Sequence, residues 1–218
     1  MLITCISASN VKSMKDSSAS TKACTIVRDI INENSNEEVK VNVIPLVEYD
    51  FKPCTMCAEC CEKGKCINDE SFNEIYSMLQ QSDGIFLVVP HYAPIPSKLM
   101  MIMEKLQEFC FIGYCKDNNS HFSLRNKPVA IIGHGGQQTG EPVLKYYKKA
   151  ILDLVANSLA GVGMKIIAVN EEWPNGVTFG LKDMVMSEGN VLPSMVHDWD
   201  NIRKVIEPLV NNLLIEIQ

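Results

Sequence analysis

Five of the nine cysteines in this chain lie close together, in the run CTMCAECCEKGKC from Cys54 to Cys66. Thiols at such short spacing can form a disulfide scaffold, hold a zinc ion or hold an iron–sulfur cluster. The amino-terminal residues MLITCIS carry no basic leader, so we expect no signal peptide and a reducing, cytoplasmic location. Disulfides are rare in such a compartment, and a chain of 218 residues can build a sufficient core without them. The pattern therefore favours a metal site over a disulfide scaffold.

A second chemical pattern is a set of hydroxyl groups that follows the first apolar segment. They recur in SASNVKSMKDSSAST, at Ser7, Ser9, Ser18, Ser20 and Thr21. Hydroxyls and free backbone N–H groups at the amino end of a helix can bind a phosphate without a basic side chain. Neither the G-x-G-x-x-G dinucleotide pattern nor the G-x-x-x-x-G-K-[ST] nucleotide loop is present. The other interpretation is a flexible serine-rich loop with an ordinary helix cap.

Two further segments have the residue types that surround a flat aromatic ligand. In PHYAPIPSK, three prolines stiffen a loop that bears His91 and Tyr92, although an ordinary proline-rich turn explains the same letters. In GHGGQQTGEP, the glycines between residues 133 and 140 let the backbone approach a ligand and offer it N–H groups. We expect His134 to be a loop residue rather than a catalytic base.

The hydrophobic pattern predicts the elements that position these segments. The apolar runs MLITCIS, KVNVIPL, DGIFLVVP, PVAIIGHGG and MKIIAV predict five strands, and segments with helical spacing lie between them. EPVLKYYKKAILDLVANSLAG predicts one long helix, residues 170–196 predict loops, and the last helix should be interrupted or kinked near Pro208. This alternation predicts an α/β fold, a doubly wound parallel sheet in a single domain over residues 1–218, with a cysteine-rich loop at 50–68. Ligands of such sheets bind at the carboxyl ends of the strands, which is where all three segments lie.

Charge and hydropathy exclude some partners. The net charge is −6 and no basic stretch offsets it, so we expect no nucleic-acid binding. No apolar run approaches the roughly 18–20 residues of a membrane span, so we expect no membrane association. The segment KLMMIMEKLQEFCFIGYC has more apolar residues than one helix face normally buries, which predicts a partner surface. The residues counted are Met100, Met101, Ile102, Met103, Phe109 and Phe111.

Together the three strand-end segments resemble the NADPH-dependent FMN reductase-like branch of the flavodoxin fold. The resemblance covers about residues 1–170 and implies bound FMN and a flavodoxin-like sheet of order 2-1-3-4-5 with helices on both faces. It implies three groups of FMN-binding residues. The phosphate group is Ser9, Ser18, Ser20 and Thr21; the ring group is Pro90, His91, Tyr92, Ala93, Pro94 and Ile95; and the group at the other ring edge is Gly133, His134, Gly135, Gly136, Gln137 and Gly140. The basic residue that usually follows the first serine of the family is missing here, although Lys12 lies close by.

The cysteine run resembles that of the iron–sulfur flavoprotein members of the same family. The resemblance implies a [4Fe–4S] cluster held by Cys54, Cys57, Cys60 and Cys66, with Cys61 as a spare thiol that could trade places with its neighbour. A cubane cluster needs four thiolates from a turning backbone, and two-residue gaps let three ligands cap one cluster. Zinc remains an alternative, although its ligands usually come as two separated pairs. A chain without any metal is the other alternative.

The predicted function is that of an iron–sulfur flavoprotein, an oxidoreductase in which electrons pass between the cluster and FMN. Its electron donor would be NAD(P)H or ferredoxin, and we expect a homodimer or homotetramer because flavin sites in this family often lie at subunit interfaces. One alternative is a cluster-free NAD(P)H-dependent FMN or quinone reductase. A second alternative is a non-enzymatic electron carrier that docks with ferredoxin-like partners.

Overall fold

The framework of the protein is a parallel sheet. The structure is a computed structural model that describes residues 1–14, 17–35, 38–116, 122–186 and 193–218. The five strands are β1 (Leu2–Ser7), β2 (Lys40–Pro45), β3 (Gly84–Pro90), β4 (Pro128–Gln138) and β5 (Lys165–Ile166). Their order in the sheet is β2-β1-β3-β4-β5, so the α/β fold and its strand order are as the sequence predicts. The fully apolar run of β3 lies at the middle of the sheet and is buried at every position, because helices cover both of its faces.

The fifth strand differs from its prediction. The run MKIIAV was expected to form one strand, but β5 has only two residues and pairs with the start of β4. After an intervening loop, a sixth strand, β6 (Val177–Leu181), pairs in parallel with the far half of β4. Gly176 makes this return possible: its φ is +121°, and an added Cβ would overlap the Ile131 carbonyl oxygen and lie 2.9 Å from that carbonyl carbon. The outer edge of β4 is thus covered by two short strands rather than one.

Helices cover the two faces of the sheet as the period-two alternation of the strands requires. Along β1 and β3, Cys5 and Phe86 pack with α1 (Ala19–Asn34) and α7 (Trp199–Ile217), whereas Ile6 and Leu87 pack on the opposite face. The opposite face is covered by α3 (Glu70–Gln81), α4 (Ser97–Lys116), α5 (Glu141–Tyr147) and α6 (Asp153–Gly161). A single-turn helix, α2 (Cys60–Lys63), lies in the cysteine-rich loop, and a 3₁₀ turn spans Leu46–Glu48.

Three local predictions need correction. The predicted long helix after β4 contains a π-helical turn at Lys148–Leu152, which separates α5 from α6. The last helix is not interrupted at Pro208, because the fixed φ of proline is itself helical, whereas a kink at this residue stays a prediction. The predicted loops over residues 170–196 contain β6 and a small antiparallel pair, β7 (Asp183–Val185) and β8 (Ser194–Val196).

The apolar surface predicted on α4 is smaller than its sequence indicates. Ile102 and Met103 belong to the core, and Phe109 packs against it. Met100 and Phe111 are the members of the set that are exposed. Most of the counted side chains pack inside the chain and so do not form a partner surface. The oligomeric state therefore stays a prediction. Among the described residues, the helices are too short or too polar to cross a membrane.

Candidate functional site

The carboxyl ends of β1, β3 and β4 lie side by side at one edge of the sheet, because the three strands are parallel neighbours. Two backbone hydrogen bonds join the segments that follow them. Ala8 N–H donates to the Val88 carbonyl over 2.9 Å, and His91 N–H donates to the His134 carbonyl over 2.7 Å. The structure therefore brings together the three segments that the sequence places at this edge.

Buried hydroxyls surround the amino end of α1. Ser18 is the N-cap residue of this helix, and its Oγ accepts the N–H of Thr21 over 3.2 Å. The Thr21 Oγ1 lies 2.9 Å from the Oγ of Ser18 and 2.9 Å from the Oγ of Ser7 at the end of β1. Ser9 is also buried, and its Oγ accepts the N–H of Val11 over 3.3 Å. This donor set, together with the positive end of a sixteen-residue helix, suits a phosphate group.

The remaining hydroxyl, on Ser20, belongs to a buried pair with His134. The Ser20 Oγ lies 2.8 Å from the Nε2 of His134, and the imidazole stacks on the Phe179 ring with centroids 4.9 Å apart. Burial, with a smaller contribution from the charge of His197, lowers the pKa of His134 to about 3. The imidazole is therefore neutral near pH 7, and His134 lies inside β4 rather than in the expected loop. It connects the hydroxyl segment to the sheet.

The proline-rich segment forms an aromatic corner with α5. The Nε2 of His91 lies 2.9 Å from the hydroxyl of Tyr146, and Tyr92 is 38% exposed at the same edge. Tyr92 N–H donates to the Pro94 carbonyl over 2.8 Å, and Ala93 has a positive φ of 54°, so the segment turns sharply. The sequence analysis missed Tyr146, although the tandem tyrosines of KYYKK were its visible signal.

The glycine-rich segment is mostly strand rather than loop. β4 continues through Gln138, and the first glycines face protein atoms instead of an open site. A Cβ on Gly133 would lie 3.2 Å from Thr178, and one on Gly135 would overlap the ring of Tyr147. These two positions therefore favour glycine because side chains of the same chain, and not a ligand, pack closely against them.

The part of this segment that remains open is its end. Gly136 and Gln137 are exposed, and Gln137 N–H donates to the Tyr147 hydroxyl over 3.0 Å. Gly140 is half-buried and is the N-cap residue of α5. The surface available to a flat ligand therefore runs along residues 136–140.

The four predicted cluster ligands line one cavity. Cys54, Cys57, Cys60 and Cys66 border a space of about 20 Å³, whereas Cys61 is not among its lining residues. The loop turns tightly around this space, with positive φ at Met56, Ala58 and Gly64. Within the described ranges, no three histidine, cysteine or carboxylate side chains are close enough together to hold a metal ion. The donor set fits a four-thiolate centre, but the described loop would have to close further around one.

Burial also affects one thiol of this loop, that of Cys60. It raises the pKa of Cys60 to about 11, with the neighbouring Cys61, Glu108 and Cys57 adding to the shift. Without a metal, this thiol is therefore protonated near pH 7. Metal binding would have to displace that proton.

An ion pair that the sequence analysis missed lies at the base of the cysteine loop. The Nζ of Lys105 lies 2.9 Å from the Oδ2 of Asp69, and both side chains are almost fully buried. Burial acts to raise the pKa of Asp69, but hydrogen bonds from Lys105, Lys52 and Phe72 outweigh it and lower the pKa below its usual value. Lys105 also borders the cavity that the four cysteines line. No periodicity distinguishes this lysine from the solvent-facing lysines of other helices.

The sheet, its strand order and the site at its carboxyl edge define a flavodoxin-like α/β protein. The structure is similar to that of oxidised flavodoxin 1 from Bacillus cereus, with a TM-score of 0.54 and 12% identity over 100% of this chain and 99% of that chain. The sequence pattern of the NADPH-dependent FMN reductase family matches residues 1–173. The chain therefore belongs to that family, which confirms the family predicted from its sequence.

Two curated relatives of the chain are iron–sulfur flavoproteins. It is 28% identical over 116 residues to an iron-sulfur flavoprotein of Methanocaldococcus jannaschii, an alignment that covers 53% of this chain and 55% of that protein. It is 27% identical over 92 residues to the iron-sulfur flavoprotein of Methanosarcina thermophila, covering 42% of this chain and 44% of that protein. The chain thus spans about half the length of the curated relatives it matches.

Proposed function

We propose that this chain is an FMN-binding oxidoreductase that takes electrons from a nicotinamide donor. The observation that carries the proposal is that the hydroxyl-lined amino end of α1 meets the His91–Tyr92 segment at one sheet edge. Ser9, Ser18, Ser20 and Thr21 would hold the phosphate, and residues 90–95 and 136–140 would hold the ring. FMN, when bound, supplies the hydride and single-electron chemistry. The residues of the chain need only bind the cofactor, orient it and shield it from water.

The neutral His134 has a specific part in this proposal. An imidazole with its proton on Nε2 donates to the Ser20 Oγ, which leaves the Ser20 O–H free to donate to a phosphate oxygen. Burial disfavours a protonated imidazole, so His134 adds no positive charge beside the phosphate across the physiological pH range. The phosphate charge would then be balanced by hydroxyls and the α1 dipole rather than by a basic side chain.

The test is to identify the flavin and then weaken its phosphate site. Heat-released cofactor, separated by chromatography, should be FMN rather than FAD. The double variant Ser20→Ala/Thr21→Ala should lose at least about tenfold in FMN affinity, because each lost hydrogen bond to a charged group is worth about 1.5–3 kcal/mol. Ser158→Ala, on the exposed face of α6, is the matched control and should bind FMN as the wild type does. Unchanged FMN affinity in the double variant would contradict the phosphate assignment.

We also propose that Cys54, Cys57, Cys60 and Cys66 hold a [4Fe–4S] cluster that exchanges single electrons with the flavin site. The support is that these four cysteines, and not Cys61, border one cavity, and that the curated relatives are iron-sulfur flavoproteins. Iron and labile sulfide are to be measured after strictly anaerobic purification, together with an absorption spectrum. Near-stoichiometric zinc without iron would overturn this part and leave the flavin site unaffected.

A cluster-free reductase is the second candidate. The observation in its favour is that the described cysteines are not gathered closely enough to hold a metal ion. Such a protein would contain FMN and oxidise NADH or NADPH, but it would contain neither iron nor labile sulfide. Metal analysis of the anaerobic protein therefore separates the two candidates.

A further inference from the structure

The cysteine loop is closed at its base by one buried ion pair. Residues 53–68 lie between Lys52 and Asp69, and the side chain of Asp69 bonds to both sides of this gap. Its Oδ2 accepts the N–H of Lys52 over 2.9 Å, and its Oδ1 accepts the N–H of Phe72, over 2.9 Å, at the start of α3. Lys105, from α4, bonds to the Asp69 carboxylate and donates to the Lys52 carbonyl. One acid and one base thus join both ends of the loop to a third element.

A buried pair of this kind is not an efficient way to stabilise a fold. Removing two charges from water costs several kcal/mol per ion, and apolar replacements of similar volume are often neutral or stabilising. The side chains of Lys105 and Asp69 are 2% and 1% exposed, so solvent screens them little. Stability alone therefore does not account for this buried pair.

Of the two members of the pair, Lys105 is the one beside the cavity of the four cysteines. Lys105 borders this cavity, whereas Asp69 does not, and Glu108 is the carboxylate on the lining. The remaining lining residues with ionisable side chains are the four cysteines themselves. A fixed ammonium at low dielectric favours whichever state of an adjacent centre carries more negative charge. For a four-thiolate metal centre, that is the reduced state.

We propose that the Asp69–Lys105 pair is a positioning device that closes the cysteine loop, and that the Lys105 charge raises the reduction potential of the centre bound there. The effect on the reduction potential rests on the cluster part of the proposed function, whereas closure of the loop applies to the metal-free chain as well. The device explains why a lysine, and not an apolar residue, occupies this position on α4.

The test uses the full chain and three variants. Asp69→Asn/Lys105→Met removes both charges without leaving a buried carboxylate unpaired, and Lys105→Arg keeps the charge. Glu141→Gln/Lys145→Met removes an exposed ion pair one helical turn apart and is the matched control. Circular dichroism and FMN content first establish that each variant is folded.

The first measurement is amide hydrogen exchange of the metal-free protein. The N–H groups of residues 61–64 and of Cys66 are hydrogen-bonded within the loop or to α3. In Asp69→Asn/Lys105→Met they should exchange at least about tenfold faster, as expected when a charge-assisted hydrogen bond that holds the loop is lost. The control and Lys105→Arg should exchange at the wild-type rate. Wild-type exchange in the folded double variant would overturn loop closure by the pair.

The second measurement is a redox titration of the anaerobic, iron-containing protein followed by electron paramagnetic resonance. The double variant should have a more negative reduction potential, because it removes the charge of Lys105, the member of the pair that borders the cavity. Lys105→Arg, which keeps the positive charge, should have the wild-type potential. An unchanged potential in the double variant would overturn the charge role. Absence of iron from the wild type would instead overturn the cluster, and the exchange measurement would still decide loop closure.

Discussion

Gly135 offers the sharpest test of how the glycine-rich segment is built. This residue lies in β4 with the ring of Tyr147 directly above it, where a side chain would project. In Gly135→Ala, the new Cβ would overlap the Oη and Cζ atoms of Tyr147 and lie 2.7 Å from its Cε1. Tyr147 is only 1% exposed, so its ring has no free space to move into. The substitution must therefore displace the ring or the strand.

The size of the effect follows from two contributions. Overpacking of a filled core costs about 1–3 kcal/mol. Displacing Tyr147 also breaks the hydrogen bond that Gln137 N–H donates to its hydroxyl, a loss of about 0.5–1.5 kcal/mol. The free energy of unfolding should fall by about 2–4 kcal/mol, which lowers the Tm by about 5–15 °C for a chain of this length.

The assay is thermal and urea unfolding of the flavin-free protein, followed by circular dichroism. Gly136→Ala is the matched control, since its Cβ would meet only the Met195 Cε at an ordinary 3.6 Å. It should change the free energy of unfolding by no more than about 0.5 kcal/mol. Equal melting of Gly135→Ala and wild type would refute the tight packing described here and would reopen this position as a ligand contact.

The remaining predictions concern the metal, pH and assembly. Cys57→Ser should abolish iron binding while FMN is retained, and Cys61→Ser should keep both, as measured by iron, sulfide and flavin analysis; iron loss from the Cys61 variant alone would reverse the ligand assignment. Because the folded pKa of His134 is about 3, well below its unfolded value, this group contributes stability above roughly pH 6.5 that is lost as the pH falls. Between pH 7 and pH 5, protonation of this histidine in the unfolded chain should lower the free energy of unfolding by about 2 kcal/mol. Urea unfolding of His134→Gln should therefore depend less on pH than that of the wild type. An undiminished pH dependence would mean that other groups titrate. Light scattering at micromolar concentration should give a dimer or tetramer, and a monomer would contradict the assembly prediction.

The sheet was predictable because its signal is strong and local. A run such as GIFLVV in β3 is apolar at every position, and alternation with helical segments leaves few arrangements other than a parallel sheet. The split of the fifth strand was not predictable in the same way. Asn175 and Gly176 are typical loop residues, and only the packing of Gly176 against Ile131 shows that they lead into another strand.

The location of the candidate site could be predicted from the sequence better than the role of each residue in it. Strand ends placed the hydroxyl, aromatic and glycine segments at one edge, and the structure brings these together. The burial of His134 and the close contact of Gly135 with Tyr147 depend on β6 and α5, whose approach no local pattern encodes. Lys105 was missed for the same reason, because its partner Asp69 is distant in sequence.

The last fifth of the chain is more than an addition to the matched family region, residues 1–173. β6 lies beyond that limit and covers the outer edge of β4, while its Phe179 stacks on His134. A chain cut after residue 173 would leave a row of unpaired N–H and C=O groups along β4, which is a template for pairing with other molecules. It would also remove the aromatic ring that orients the imidazole beside Ser20. Shortening this protein to its recognisable family segment would therefore produce an aggregation-prone fragment in which the hydroxyls proposed to bind phosphate are less firmly placed.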